Sequence, residues 1–406
     1  MTVRERKGWA ASMLTRGRPV VPLLGVLLLS GIVIAPQAAF FPIFVEEQLG
    51  YEEVVVSTII SIGQFMGMIA AVIGGALCDT LGRKWTLILG LFGFVLGSLI
   101  YLTRAPWLVV LLRAFAGMGL GFHTLGGMSY LIDAAGPERL GMFSALYNWG
   151  FTLGGALSSP VAGVILDKWG FGPLGLVLFV VSLATMLVAV TFLPRLQRKS
   201  ETVPSWSESL LGYREILRRP VIAILGLLRF LPTCYYGMAS VLNPLLINRL
   251  AGSKTAVALY TTLSFMLATL AQALIGRAAD RWGRRWPTLA GFGVLIISIV
   301  GQASFSTHLW SFYVFGVLGI CAAWSLATLL PCLVSDATKE EERGRVLGTL
   351  HLLWSLAMIV GSMIGGALVE IAVGLPFFVT AVLNLVAIGL AVVFFRLVTW
   401  QEKHPA

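Results

Sequence analysis

The residues able to do chemistry in this chain are few, and two of them are arginines inside otherwise apolar runs. Arg113 sits in LLRAFAGMGLG, residues 111–121, and Arg229 in the run that begins at Pro220. At 1.5 Å of rise per residue, Arg113 lies about 10 Å from Pro106 and Arg229 about 14 Å from Pro220. A cation at that depth in hydrocarbon is costly unless it faces a cavity or a partner, so both are candidate binding groups. Their fixed positive charge favours an anionic solute or headgroup, and their different depths leave sequential contact as open as a shared clamp. Snorkelling, or satisfaction by backbone carbonyls, is the plainer account of each.

From Arg229, a stripe of Thr233, Tyr236, Ser240 and Asn243 follows at spacings of four, three, four and three, which is one helical face. Gln37, Asn148, Gln272 and Trp324 are further candidates to line a path. Weaker stripes are Ser57–Ser61–Gln64, Asn148–Thr152–Ser159 and His351–Ser355–Ser362. All of these groups would serve equally as hydrogen bonds between helices. No acidic residue is central in any apolar run, so no proton carrier stands out. Asp133 and His123 are the fallback candidates, and His123 reads equally as a packing residue.

The elements that must position these residues are membrane-spanning helices. Of 406 residues, 57% are hydrophobic and 12% charged, about half the charge of an ordinary soluble domain. Twelve apolar runs recur at about 20–45, 52–78, 85–103, 106–133, 141–166, 172–193, 220–248, 256–279, 286–305, 309–335, 344–371 and 375–398. Each is long enough for one helical crossing, whereas a membrane β-barrel would show short alternating segments of about ten residues. The first run follows basic residues as a signal peptide would, with cleavage near Ala35–Ala39 as the alternative, but its length reads as a first span. Cys78, Cys234, Cys321 and Cys332 lie in or at the ends of spans without CxxC spacing, which argues against a disulfide framework or a zinc site.

Charge sets the expected orientation. Of the 29 Lys and Arg residues, Arg113 and Arg229 lie inside spans, and Arg104, Lys168, Arg249 and Lys254 fall on the side opposite the N-terminus. The rest share the N-terminal side. Basic residues favour the cytoplasm, so both termini and the polar segment 194–219 are expected there, in an inner (cell) membrane. The net charge of +10 is thus a topology signal, and no soluble basic domain is present to bind nucleic acid.

Residues 74–87, GGALCDTLGRKWTL, and 276–289, GRAADRWGRRWPTL, repeat each other. Gly75, Asp79, Gly82, Arg83 and Trp85 are matched 201 positions later by Gly276, Asp280, Gly283, Arg284 and Trp286, and Lys84 by Arg285. Both copies follow the second span of a set of six, which points to an internal duplication of a kind recurrent in secondary transporters. This pattern resembles the major facilitator superfamily, whose loop there reads roughly G-x-L-x-D-R-x-G-R-R/K, and most closely its twelve-helix drug/proton antiporters. Thr80 departs from the pattern where a basic residue is common, while Arg281 keeps it.

The resemblance implies an all-α membrane protein with 12 transmembrane helices in two pseudo-symmetric six-helix bundles. Residues 1–193 and 220–406 would form the bundles, joined by the linker 194–219. It implies latches of Asp79, Arg83 and Asp133 in one half and Asp280, Arg284 and Asp336 in the other, which hold one conformation and release during alternation. Static pairing at helix ends is the plainer account. Residues 113–119 resemble a pattern that places an arginine beside the transport path in proton-coupled members. Gly150, Gly154, Gly155, Ser159, Pro160 and Gly163 partly resemble the glycine–proline motif of exporters, with serine in place of the usual glycine before proline.

The first reading is a monomeric secondary transporter exporting small amphipathic organic compounds, coupled to protons. The runner-up is a carrier of organic anions or anionic lipid-like molecules. A sugar or osmolyte permease is third, and a non-transporting membrane receptor is the reading of a different class. No H-E-x-x-H, G-x-S-x-G or P-loop is present, so neither an enzyme nor a cofactor or metal is expected.

Overall fold

The computed structural model describes residues 20–135, 140–196, 219–338 and 343–403, and the described elements are all helical. Twelve helices are long and apolar enough to cross a membrane. In the first six, α1 is Val20–Leu49, α2 Glu53–Thr80, α3 Arg83–Leu102, α4 Pro106–Ala135, α5 Leu140–Trp169 and α6 Phe171–Phe192. In the second six, α7 is Pro220–Ala251, α8 Lys254–Trp282, α9 Arg285–Ser304, α10 Leu309–Ala337, α11 Arg343–Val369 and α12 Leu375–Lys403. With no water in hydrocarbon to satisfy free backbone groups, continuous helices are what such apolar runs must form.

Several helices run further than their apolar runs, among them α1 past residue 45 and α7 past residue 248. Hydrophobicity ends at the membrane edge, but helical hydrogen bonding ends where the backbone turns. Gly50 and Gly252 make those turns with φ of 72° and 62°, and their N–H groups donate back to the Glu46 and Asn248 carbonyls at 3.0 and 2.8 Å. Gly82 and Gly283, at φ 90° and 76°, do the same service for the two repeated turns.

The chain packs as two compact units, one of residues 1–44 and 62–200, the other of 45–61 and 201–406. In the first, α3 packs on α4 and α6, over a core that includes Leu23, Leu27, Leu87, Phe94 and Tyr130. Helices α2 and α4 touch backbone to backbone, since a Cβ on Gly117 would collide with the Gly63 carbonyl. In the second, α7 packs on α11 and α12, α8 on α10, and α9 on α12. Gly361 lets α11 approach the backbone of α7 at Cys234. One π turn, Phe312–Gly316, interrupts α10. Leu157, Val161, Val180, Leu274 and Ile297 stay exposed, as lipid-facing side chains must.

Candidate functional site

Both repeated turns deliver an arginine to the end of a neighbouring span on the basic side. In the first unit Arg83, at the start of α3, pairs with Asp133 near the end of α4. In the second, Arg284 pairs with Asp336 at the end of α10 and also donates to the Cys332 carbonyl at 2.7 Å and to Ser335 Oγ at 3.2 Å. Asp280 is exposed and forms no ion pair among the described residues. The Asp79 side chain lies outside the described residues.

Inside the first unit, the Arg113 guanidinium carbon lies 4.7 Å from the centroid of the Phe41 ring. Gly63 makes room for it, because a Cβ there would sit 2.8 Å from Arg113 Nε. Among the described residues Arg113 has no ion pair. Desolvating a cation is costly, and the face of a ring offsets only part of that. Gln37 is 8% exposed, and its Nε2 donates to Ser98 Oγ at 2.9 Å and the Phe94 carbonyl at 3.3 Å. It therefore ties α1 to α3 instead of facing open space. His123 is likewise buried, with Nε2 3.0 Å from Ser30 Oγ. Asn148 is exposed on α5.

In the second unit the stripe on α7 divides. Thr233 Oγ1 donates to the Arg229 carbonyl at 2.7 Å and Ser240 Oγ to the Gly237 carbonyl at 2.8 Å, the usual way a hydroxyl is satisfied within its own helix. Asn243 is fully buried: Nδ2 donates to Tyr260 Oη at 2.7 Å, and Oδ1 accepts from Gln302 Nε2 at 3.2 Å. Gln302 Oε1 in turn accepts from Tyr235 Oη at 2.7 Å. These buried bonds join α7 to α8 and α9. Arg229, Tyr236 and Ser240 are the half-buried members of the stripe, and of these Arg229 and Tyr236 are the ones whose side chains are not bonded back to their own helix. Tyr236 meets Trp324 of α10 edge-on, with centroids 5.8 Å apart. Arg229 is within electrostatic reach of His351, whose ring stacks on Trp354 at 5.4 Å. Gln272 is half-buried on α8.

A cluster that sequence reasoning did not single out lies at the opposite end of the second unit. Arg249 pairs with Glu46 and with Glu53, the latter at 2.6 Å. Lys254 Nζ pairs with Glu47 at 2.8 Å, and Asn248 Nδ2 donates to the same carboxylate at 2.8 Å. These bonds draw residues 45–61 into the second unit. The signal was present: Arg249 and Lys254 are two of the four basic residues that break the charge asymmetry, and four acids, Glu46, Glu47, Glu52 and Glu53, cluster at 46–53. Span-by-span reading has no means of pairing them. Among the described residues no group of His, Cys, Asp and Glu is placed to hold a metal ion.

Twelve spanning helices, built as two sets of six with the same turn in each, define a polytopic carrier-type membrane protein. The family model for the Major Facilitator Superfamily matches residues 23–249 and 227–406. The chain belongs to that superfamily. It is 28% identical over 185 residues to the class H tetracycline resistance protein of Pasteurella multocida, covering 43% of this chain and 44% of that protein. It is 26% identical over 364 residues to the multidrug resistance protein Stp of Mycobacterium tuberculosis, covering 74% and 66%. Among solved structures, a bacterial homologue of the human lysosomal transporter Spinster, in an inward-facing and unoccupied conformation, matches with TM-score 0.73 and 15% identity. It covers 96% of this chain and 99% of that one, a likeness of fold.

Proposed function

We propose that this protein is a secondary active transporter that exports small amphipathic organic compounds by alternating access, coupled to protons. The observation that carries the reading is the Arg113 guanidinium lying on the Phe41 ring without a carboxylate partner among the described residues. An amphipathic solute supplies what such a surface lacks, apolar area for the ring and a polar group for the cation. Arg229, Tyr236 and Trp324 offer the same combination in the second unit, and Gln272, half-buried on α8, is a further lining residue. The efflux relatives, named for tetracycline and multidrug resistance, support this class of cargo.

The basic side faces the cytoplasm of an inner membrane, with both termini there. Residues 1–193 and 220–406 act as the two halves of a monomer, joined by 194–219. Asp79, Arg83 and Asp133, and their counterparts Asp280, Arg284 and Asp336, serve as cytoplasmic latches that release during alternation. Asp133 is the carboxylate offered for proton exchange, since no acid is central in a span.

The test is counterflow in liposomes of purified protein against a panel of cationic, neutral and anionic amphiphiles. Saturable exchange of neutral or cationic compounds, abolished by a protonophore and reduced at least ten-fold in Arg113→Gln, is expected. Absence of saturable exchange for every compound would sink the reading. Exchange confined to anions and lost in Arg229→Ala would replace it with an organic-anion carrier.

A further inference from the structure

Where α3 begins and α6 has just ended, three residues of the first unit converge. Lys84 Nζ lies 5.9 Å and the Arg195 guanidinium carbon 5.5 Å from the centroid of the Trp85 ring, within the distance at which a cation feels the ring face. Lys84 is fixed there by donating to the Val190 carbonyl at 2.7 Å. Trp85 is 39% exposed, and Arg195 is exposed. Among the described residues neither cation forms an ion pair. Their charges act on one another, and like charges held together repel. Two neighbouring cations beside a partly exposed indole make a place suited to an anion.

Its place in the fold indicates which anion. The spans run from Arg83 to Leu102 and from Phe171 to Phe192, so the cluster sits at the edge of the apolar band. There tryptophan side chains rest at headgroup level, and clustered basic residues meet anionic headgroups. We propose that Lys84, Trp85 and Arg195 form a binding site for the phosphate of an anionic phospholipid headgroup. Arg195 offers a planar fork to two phosphate oxygens, Lys84 a fixed point charge, and Trp85 an apolar face for the glycerol region. The site is independent of the cargo; only its assignment to the cytoplasmic leaflet rests on the orientation proposed above.

The duplication supplies an internal control. The offset of 201 that carries Lys84–Trp85 onto Arg285–Trp286 also carries Arg195 onto Arg396. In the second unit Arg285 lies 5.7 Å from the Trp286 centroid, but no second cation lies over that ring among the described residues. The backbone explains the difference. Helix α6 stops at Phe192, so the chain bends and Arg195 can turn back, whereas α12 is still helical at Arg396 and carries it along its own face.

The experiment titrates the purified full-length protein, in a neutral detergent, with phosphatidylglycerol or phosphatidylcholine of identical acyl chains. Native mass spectrometry counts bound lipid, and thermal denaturation measures stabilisation. Phosphatidylglycerol is expected to bind in preference. Arg195→Gln should weaken it about five-fold, the effect of one interfacial charge, and Arg396→Gln by less than about two-fold on the same scale. Trp85→Phe, which keeps a ring, should retain more binding than Trp85→Leu. Wild-type affinity in Arg195→Gln, or an equal loss in Arg396→Gln, would overturn the proposal. Equal binding of phosphatidylcholine would remove its electrostatic basis. Full stabilisation by millimolar inorganic phosphate alone would turn the lipid site into one for a soluble anion.

Discussion

The two repeated turns carry the same arginine to the same place and surround it differently. Arg83 meets Asp133 with side chains 20% and 18% exposed, while Arg284 meets Asp336 with 34% and 32% exposed. Arg284 has two further acceptors, a backbone carbonyl and a serine hydroxyl on α10. In the first unit the neighbouring cation, Lys84, is the one that finds a carbonyl, on α6. A short motif thus specifies a pair, and the neighbouring helices decide how much else holds the arginine when its partner is lost. A carbonyl remains an acceptor whatever happens to a carboxylate, so the second copy is the better buffered.

The largest expected effect breaks the frame beneath the first copy. Helices α2 and α4 lead to Arg83 and Asp133 and touch at Gly63 and Gly117. Gly117→Leu has no flexible side chain to displace, only backbone, and should cost more than about 3 kcal/mol, read as loss of folded monomer on size-exclusion chromatography.

Removing the carboxylate partners comes next. Asp133→Asn should destabilise by about 1–2 kcal/mol, because a half-buried guanidinium loses its charged partner. Asp336→Asn should cost less than about 1 kcal/mol, since its pair is more exposed and Arg284 keeps its other acceptors. Thermal denaturation in detergent measures both, and equal shifts would mean that the extra acceptors contribute nothing.

A comparison of the two motif aspartates tests use against structure. Asp79→Asn should impair transport more than expression, and Asp280→Asn, at an exposed position without an ion pair among the described residues, should impair transport by a smaller factor, about two- to five-fold, as a solvent-screened member of the second latch. Equal loss of transport and expression in Asp79→Asn would leave that residue only a structural role.

The smallest contrast between the copies is expected at the turns. Gly82→Ala and Gly283→Ala each force a side chain into an extended positive-φ conformation, with ψ 154° and 167°, that is essentially glycine's alone, and should cost at least about 1 kcal/mol. Unequal costs would show that the two turns differ in backbone as well as in surroundings.

What could be read in the chain beforehand follows from which properties are local. Span positions were legible because hydrocarbon thickness fixes the length of an apolar run. The pairing of each repeated arginine with the aspartate at the end of its neighbouring span, Arg83 with Asp133 and Arg284 with Asp336, was legible from the repeat and the span ends. The polar stripe on α7 was legible as a helical face but not in its employment. Periodicity places Thr233, Ser240 and Asn243 together, yet it does not say that two hydroxyls turn to their own carbonyls while an amide binds Tyr260 and Gln302. Gln37 escaped in the same way, its amide taken up by Ser98 of a helix distant in sequence.

By itself, then, the sequence determined the number of helices, the internal repeat, the charge asymmetry and the family resemblance, since each depends on composition or spacing along one chain. Tertiary structure decided the rest. It set Arg113 over Phe41, drew residues 45–61 to Arg249 and Lys254, and closed the hydrogen-bonded chain from Tyr235 to Tyr260. It also placed Arg195, but not Arg396, over a tryptophan ring. Such pairings join positions far apart in sequence, and their strength depends on distances of a few ångströms and on local burial, which only the packing of the helices fixes.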